Sequence, residues 1–139
     1  MNPVSLLDME KMAEPRVSHN LWGYISGSAA DGVTLRRNRE AFHEITMRPR
    51  LLADIGGMDL STTVLGESIS FPVMIAPAWG RFMVHPEGEL AVARAAGAAG
   101  TIMAVAFGTP STVAEVAAVA SGLLWQQLHH ADDEVTEYL

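Results

Sequence analysis

The segment FPVMIAPAWGRFMVHPEGELAVARAAGAAG, residues 71–100, decides the fold class. It opens as an apolar run that stops at Pro77, which is typical of a buried strand. It closes as an alanine-rich stretch whose last residue is a glycine, which is typical of a helix. Pro86 stands at a favoured first helical position, and Glu87 and Glu89 follow in the first turn, where the helix dipole favours anions. The joining segment PAWGRFMVH is longer than a plain turn requires, and it lies where α/β proteins bind their ligands.

The alternation of strand and helix continues after this segment. TIMAVAF (101–107) and LLWQQL (123–128) are predicted to be buried strands. Between them, Thr112 and Glu115 have the spacing of a capping box and predict a helix that ends at Gly122. The acidic sequence DDEVTEYL predicts the start of a further helix. The order β-α-β-α-β-α favours parallel strands joined by right-handed crossovers.

The residues before this segment predict helices followed by a hairpin. Two short helices are expected within residues 5–26, parted at Pro15, because proline ends a helix at or before the preceding residue. A third helix is expected over roughly 34–45, where apolar residues fall on one stripe. From Leu60 the pattern favours a hairpin that turns at Gly66-Glu67.

These elements are expected to form one domain in three parts. They are a helical extension (about 1–58), a hairpin (about 59–70) and βα units (about 71–139). Three parallel strands leave two sheet faces to cover and cannot close a barrel. The chain is therefore expected to be the front of a larger α/β domain.

Composition narrows the classes of function. Of 139 residues, 49% are apolar and 18% are charged, which indicates a globular protein. The net charge of −7 argues against a nucleic-acid partner. The absence of cysteine excludes disulfides, thiolate catalysis and zinc–thiolate sites. No signal-like N-terminal segment and no apolar run of about 18 residues is present, so we expect a cytoplasmic protein without a membrane span.

Candidate functional residues follow the predicted strands. Gln127 is an amide within an apolar strand, where an unpaired polar group costs ~1–3 kcal/mol. A ligand or the neighbouring backbone could satisfy it. His129 and His130, with Asp132 and Asp133 nearby, resemble a set of metal ligands. Adjacent strand residues point to opposite faces, however, so no metal site is expected.

Several short motifs are shared with one family. They are SGSAAD after Tyr24, NREAF (38–42), RPRLL (48–52), DLSTTVLG (59–66), PVMIAP (72–77), HPEGE (85–89), ARAAGAAGTIM (93–103) and QL (127–128). In this combination the sequence resembles the N-terminal part of the FMN-dependent α-hydroxy-acid oxidase and dehydrogenase family. That family includes glycolate oxidase, lactate oxidase and mandelate dehydrogenase. The resemblance extends over nearly the whole chain.

The resemblance implies a TIM barrel, (β/α)8, with FMN at the carboxyl ends of the strands. On the family pattern, the backbone of Pro77, Ala78 and Trp79 would contact the flavin ring, which gives the joining segment a role. Gln127 would bind the pyrimidine edge of the flavin. Tyr24 would hold the carboxylate of the substrate.

Three residues depart from the family pattern. A small residue is usual at the position of Trp79, facing the middle of the flavin. A hydroxyl residue is usual at Ala106, which would offer the flavin only its backbone. A tyrosine that contacts the substrate is usual at His129. Each change bears on turnover, and Trp79 does so most because it is bulky.

The resemblance implies an N-terminal fragment of an enzyme that oxidises a small L-2-hydroxy acid to a 2-oxo acid, homo-oligomeric when complete. The family's catalytic histidine, substrate-binding arginine, flavin-binding lysine and phosphate site lie in the second half of the barrel. No catalytic residue is therefore expected in this chain, which should be inactive alone. The alternative is a shortened, non-catalytic α/β protein whose exposed strands pair with another protein.

Overall fold

The computed structural model describes residues 2–52 and 54–129. The chain divides into two compact units, Met1–Gly56 and Gly57–Leu139. The helices and strands are α1 (Leu6–Ala13), α2 (His19–Ser26), α3 (Val33–Glu44), β1 (Thr62–Val64), β2 (Glu67–Ile69), α4 (Gly88–Ala99), β3 (Met103–Val105), α5 (Val113–Val119) and β4 (Leu124–Gln126), with 3-10 turns at Glu14–Arg16 and Arg81–Met83. The predicted C-terminal helix, together with His130, Asp132 and Asp133, lies outside the described residues.

The first unit contains the three predicted helices. The turn that carries Pro15 separates α1 from α2, as expected. Ser5 caps α1, since its hydroxyl accepts from the Asp8 N–H while the Asp8 carboxylate accepts from the Ser5 N–H. The Ser18 hydroxyl caps α2 in the same manner, but without the reciprocal bond. Local signals thus set where α1 and α2 begin.

The predicted hairpin forms, but its turn lies one residue earlier than expected. Val64 pairs with Glu67, so Leu65 and Gly66 are the residues between the strands. Their φ angles are 50° and 89°, as a type I′ turn requires, and this turn matches the twist of the two strands. The prediction of a turn at Gly66-Glu67 is wrong, because Gly66 is the second of the two turn residues and not the first.

The second unit confirms the predicted parallel pairing. β3 runs parallel to β4, with Met103 opposite Leu124. On the other side of β3, Ile75 forms a parallel bridge to Met103. The first strand segment, β3 and β4 therefore lie side by side in chain order, with α4 and α5 in the connections between them.

The first strand segment is much shorter than the predicted Phe71–Pro77. The Val73 N–H donates to the Phe71 carbonyl at 2.8 Å, and the Thr101 hydroxyl donates to the Val73 carbonyl. The backbone groups of Val73 thus bond within a turn and to a side chain, and they form no hydrogen bonds to a neighbouring strand. The prolines at both ends of VMIA have no N–H to donate. Position and direction of the strand were predicted correctly, and its length was not.

The ends of α4 and α5 show how glycine acts in this unit. α4 begins at Gly88, after Pro86 rather than at it, because the backbone turns at Gly88 with φ +37°. It ends at Gly100 in the left-handed conformation, as expected. α5 ends at Val119, before the predicted end at Gly122. A Cβ on Gly122 would lie 2.7 Å from the Cα of Gly97, so this glycine permits close packing instead of capping the helix.

The core of the second unit lies between its helices and the parallel strands. It consists of Ala93, Ala96, Met103, Val105 and Val116. The alanines come from α4 and the valine at 116 from α5, so both helices cover the same strand pair. This packing fixes the carboxyl ends of the strands relative to one another.

Candidate functional site

Three chain segments are joined at the carboxyl ends of the parallel strands. The Trp79 indole N–H donates to the Gly108 carbonyl at 3.1 Å, which links the segment after the first strand to the segment after β3. The Gln127 Oε1 accepts from the Phe107 N–H at 3.0 Å, which links that segment to the end of β4. The Gln127 N–H also donates to the Val105 carbonyl at 2.9 Å, so the parallel ladder continues past β4.

The bond to Phe107 fixes the orientation of the Gln127 amide. A backbone N–H can only donate, so the side-chain oxygen must face it and the Nε2 must face the other way. The neighbouring backbone therefore satisfies the oxygen of this half-buried amide, as one of the two sequence interpretations expected. Within the described residues Nε2 makes no hydrogen bond. The amide is left with two donors for a ligand.

His129 lies next to this amide at the same edge. Its ring stacks on that of Phe107, with centroids 5.0 Å apart and planes inclined by 23°. Gln127 and His129 both contact Phe107, one through its backbone N–H and the other through its ring. Gln126 and Leu128 line a cavity of about 300 Å³, whose walls also include Ala106, Phe107 and Gly108 but neither Gln127 nor His129.

The segment after the first strand presents an exposed surface. Pro77, Ala78 and Trp79 are all exposed, and Trp79 keeps 52% of its surface accessible. The Trp79 ring meets Phe82 edge-on, with centroids 5.5 Å apart and planes at 87°. Held by Gly108 at its nitrogen and by Phe82 at a ring edge, the indole has a defined position and a free surface.

Ala106 and Tyr24 have very different surroundings. Ala106 follows β3 directly and is only 3% exposed, so its methyl group lies in the interior. Tyr24 belongs to α2 in the first unit and is 66% exposed. The structure thus brings Trp79, Gln127 and His129 to one edge of the second unit, with Ala106 beneath it.

The sequence assigned no individual role to Phe107 or Gly108, although both lie where the second predicted strand ends, at the expected ligand edge. Phe107 supplies the N–H that orients Gln127 and the ring that stacks on His129. Gly108, with φ +71°, turns the chain so that its carbonyl meets Trp79. The available signal was a glycine directly after a predicted strand, which marks a turn at the carboxyl edge.

This geometry is that of an α/β protein with polar and aromatic residues collected at the carboxyl ends of parallel strands, the edge at which such sheets bind their ligands. The family model described as FMN-dependent dehydrogenase matches residues 13–139. The chain therefore belongs to the FMN-dependent dehydrogenase family, as the sequence motifs indicated.

Curated relatives agree with this assignment. Glycolate oxidase 1 of Oryza sativa subsp. indica is 43% identical over 136 residues, which cover 97% of this chain and 37% of the relative. Glycolate oxidase of Spinacia oleracea is 43% identical over 129 residues, 93% of this chain and 35% of the relative. The chain thus spans somewhat more than a third of the length of these relatives.

Solved structures of the family superpose closely on this chain. A lactate oxidase from Pediococcus acidilactici gives a TM-score of 0.89 at 33% identity, covering 96% of this chain and 38% of that one. A soluble mutant of the membrane-associated (S)-mandelate dehydrogenase from Pseudomonas putida gives 0.93 at 29% identity, covering 99% and 39%. None of the helices in residues 2–52 and 54–129 is long and apolar enough to cross a membrane.

Proposed function

We propose that the carboxyl edge of the second unit holds one side of the FMN ring in an enzyme that oxidises a small L-2-hydroxy acid to a 2-oxo acid. In this proposal the chain supplies the N-terminal helices and the first βα units of a (β/α)8 barrel. The observation that carries it is the Gln127 amide, whose oxygen is held by the Phe107 N–H and whose two donors remain for a ligand.

The residues at this edge fit the chemistry of a flavin. The pyrimidine edge of FMN carries carbonyl oxygens, and the Gln127 Nε2 can donate to one of them. The exposed backbone of Pro77, Ala78 and Trp79 offers further groups along the ring. Ala106 has no polar side-chain atom, so it contributes through its backbone alone. Bound FMN would supply the two-electron acceptor that oxidation of a 2-hydroxy acid needs.

Two residues are proposed for the substrate. His129 can donate a hydrogen bond from its imidazole, and its stacking on Phe107 holds the ring at the same edge as Gln127. Tyr24 is assigned to the substrate carboxylate by the family pattern alone. The base that accepts the substrate proton is assigned by that pattern to the part of the barrel that this chain does not match.

Trp79 sets the size of what the edge accepts. Its indole cannot swing away without losing the bond to Gly108 and the contact with Phe82. Where the family pattern has a small residue, this chain therefore places a fixed aromatic ring. We expect small 2-hydroxy acids to be favoured over bulky ones for this reason.

The test compares two adjacent glutamines in the whole protein. Gln127→Leu removes both donors, and Gln127→Glu keeps an acceptor for the Phe107 N–H while removing the donors. Gln126→Leu is the matched control, because Gln126 is exposed and its Nε2 already donates to the backbone carbonyl of Gln127. Leaving a buried flavin carbonyl unpaired costs ~1–3 kcal/mol, so both changes at 127 should weaken FMN binding by roughly 5- to 150-fold.

Flavin fluorescence titration measures these affinities. Equal affinities for the Gln127 variants and the control would show that the amide does not bind the ring. A colourless parent protein that binds no FMN and turns over no 2-hydroxy acid would favour the non-catalytic alternative. Light scattering on the same samples tests the proposed homo-oligomer.

A further inference from the structure

Where the joining segment meets α4, two oppositely charged residues have buried side-chain atoms without hydrogen-bond partners among the described residues. Glu89 is fully buried, and neither of its carboxylate oxygens is bonded within the described residues. The Nη1 of Arg81 is also buried and unbonded there. A buried charge without a partner costs several kcal/mol. The two groups carry opposite charges.

The backbone brings the two residues together. A Cβ on Gly88 would lie 3.2 Å from the nitrogen and 3.3 Å from the Cα of Phe82, so the turn Arg81–Met83 rests directly on the first turn of α4. Arg81 precedes Phe82 and Glu89 follows Gly88. The two charged residues therefore flank one backbone contact.

The side chains turn inward rather than to solvent. Glu89 lies on the same face of α4 as Ala93 and Ala96, which pack in the core. The Arg81 Nη2 donates to the Ala76 carbonyl at 2.8 Å, directly before Pro77. The nearby cation Arg94 is already paired with Glu87 at the surface of α4. Arg81 is thus the cation available to Glu89 from this part of the chain.

We propose that Glu89 is the counter-charge of Arg81 and that their attraction across the Phe82–Gly88 contact fixes the joining segment on α4. Arg81 transmits this constraint to the end of the first strand through Ala76. Both are positioning residues, since neither touches the ligand edge. The effect on FMN rests on the proposed function, whereas the effect on the segment itself does not.

The experiment is a double-mutant cycle in the whole protein, with Glu89→Gln, Arg81→Met and the double variant. Each single change leaves one buried charge without its counter-charge, so each should weaken FMN binding by about tenfold or more. The double variant leaves neither charge without a partner. Its affinity for FMN should therefore be at least as high as that of the single variant that binds FMN less tightly. Arg81→Lys keeps the charge and should weaken binding less than Arg81→Met.

A second readout does not depend on flavin. Trp79 lies within the segment, and its emission is obtained by subtracting the spectrum of a Trp79→Phe variant. The single changes should shift this emission, and the double change should restore it in part. Glu87→Gln with Arg94→Met is the control cycle, since that pair is exposed and should show additive, small effects in both readouts.

Additive effects of Glu89→Gln and Arg81→Met in both readouts would overturn the inference and leave the proposed function intact. A protein that binds no FMN but shows coupling in the Trp79 emission would overturn the proposed function and support the ion pair. Single variants that fail to fold beside a double variant that folds would support the pair as well.

Discussion

The two units of the chain are stabilised in different ways. Within the described part of the first unit, Gly32 is the only buried residue, and large apolar side chains such as Phe42 are exposed. The second unit has a core in which Met103 and Val116 are completely buried. The first unit relies on local interactions, and the second relies on burial of apolar surface.

The polar interactions of the first unit are individually weak. Its ion pair between Arg39 and Glu10, at 2.8 Å, is exposed on both sides, and such pairs contribute ~0–1 kcal/mol. Helices as short as α1 and α2, with eight residues each, are marginal unless an apolar face is buried. The comparison teaches that capping fixes where these helices begin, while burial decides how stable they are.

The largest expected effect contrasts two methionines. Met103→Ala should lower the free energy of unfolding by ~2–5 kcal/mol, because it leaves a cavity in a closed core. Met9→Ala should change it by less than about 0.5 kcal/mol, since Met9 is 52% exposed. Urea unfolding followed by circular dichroism measures both. Equal effects would contradict the division into a local and a buried unit.

Two helical glycines give the next largest contrast. A Cβ on Gly97 would lie 2.3 Å from the Ser121 Oγ and 2.8 Å from the Gly122 nitrogen, so Gly97→Ala should destabilise the protein by ~1–3 kcal/mol. Gly23 in α2 has nothing within 4 Å of this position. Gly23→Ala should therefore stabilise by ~0.5–1 kcal/mol. Thermal unfolding should show opposite shifts, and shifts of the same sign would count against this packing.

The capping boxes of α1 and α5 allow the same type of substitution to be compared in the two units. Thr112→Ala and Ser5→Ala each remove a hydroxyl that caps a helix, a change that costs ~0.5–2 kcal/mol. α5 carries the buried Val116, so the loss at Thr112 should appear in global unfolding. The loss at Ser5 should appear only as faster hydrogen exchange within α1. Exchange that accelerates throughout the protein in the Ser5 variant would show that the first unit is more cooperative than its burial indicates.

The smallest expected effect is a dependence of folding stability on pH, to which both capping boxes should contribute. Hydrogen bonds from the Val4 backbone and the Ser5 side chain lower the pKa of Asp8 below 3.8, and those from the Thr112 backbone and side chain lower the pKa of Glu115 below 4.5. A carboxyl whose pKa falls on folding stabilises the folded state above its unfolded pKa. That contribution is lost as pH falls through the folded pKa.

Carbon-detected NMR titration measures both midpoints. They should lie below the ordinary values of 3.8 and 4.5, and Thr112→Ala should return that of Glu115 toward its ordinary value. A Glu115 midpoint that is the same in the parent and in this variant would show that the capping box of α5 does not form in solution.

Local signals in the sequence predicted the helices and strands. They did not predict the contacts between residues that are far apart in the chain. Thr112 and Glu115 form the predicted box because both partners lie within one turn. The bond between Trp79 and Gly108 joins residues 29 apart, so it depends on packing that no short pattern specifies. Glu89 was expected in the first turn of a helix beside Glu87, as an anion favoured by the dipole. The structure keeps it in the first turn but buries it, on the face of α4 that packs in the core with Ala93 and Ala96.

The spacing of contacts along the second unit has a consequence for biosynthesis. The Thr101 hydroxyl reaches a carbonyl 28 residues earlier, and Gln127 reaches a backbone N–H 20 residues earlier. Ribosomes add ~5–20 residues per second, whereas closing a loop of about ten residues takes well under a microsecond. Each strand can therefore find its predecessor before the next strand has been made, and the sheet can grow in the order of translation.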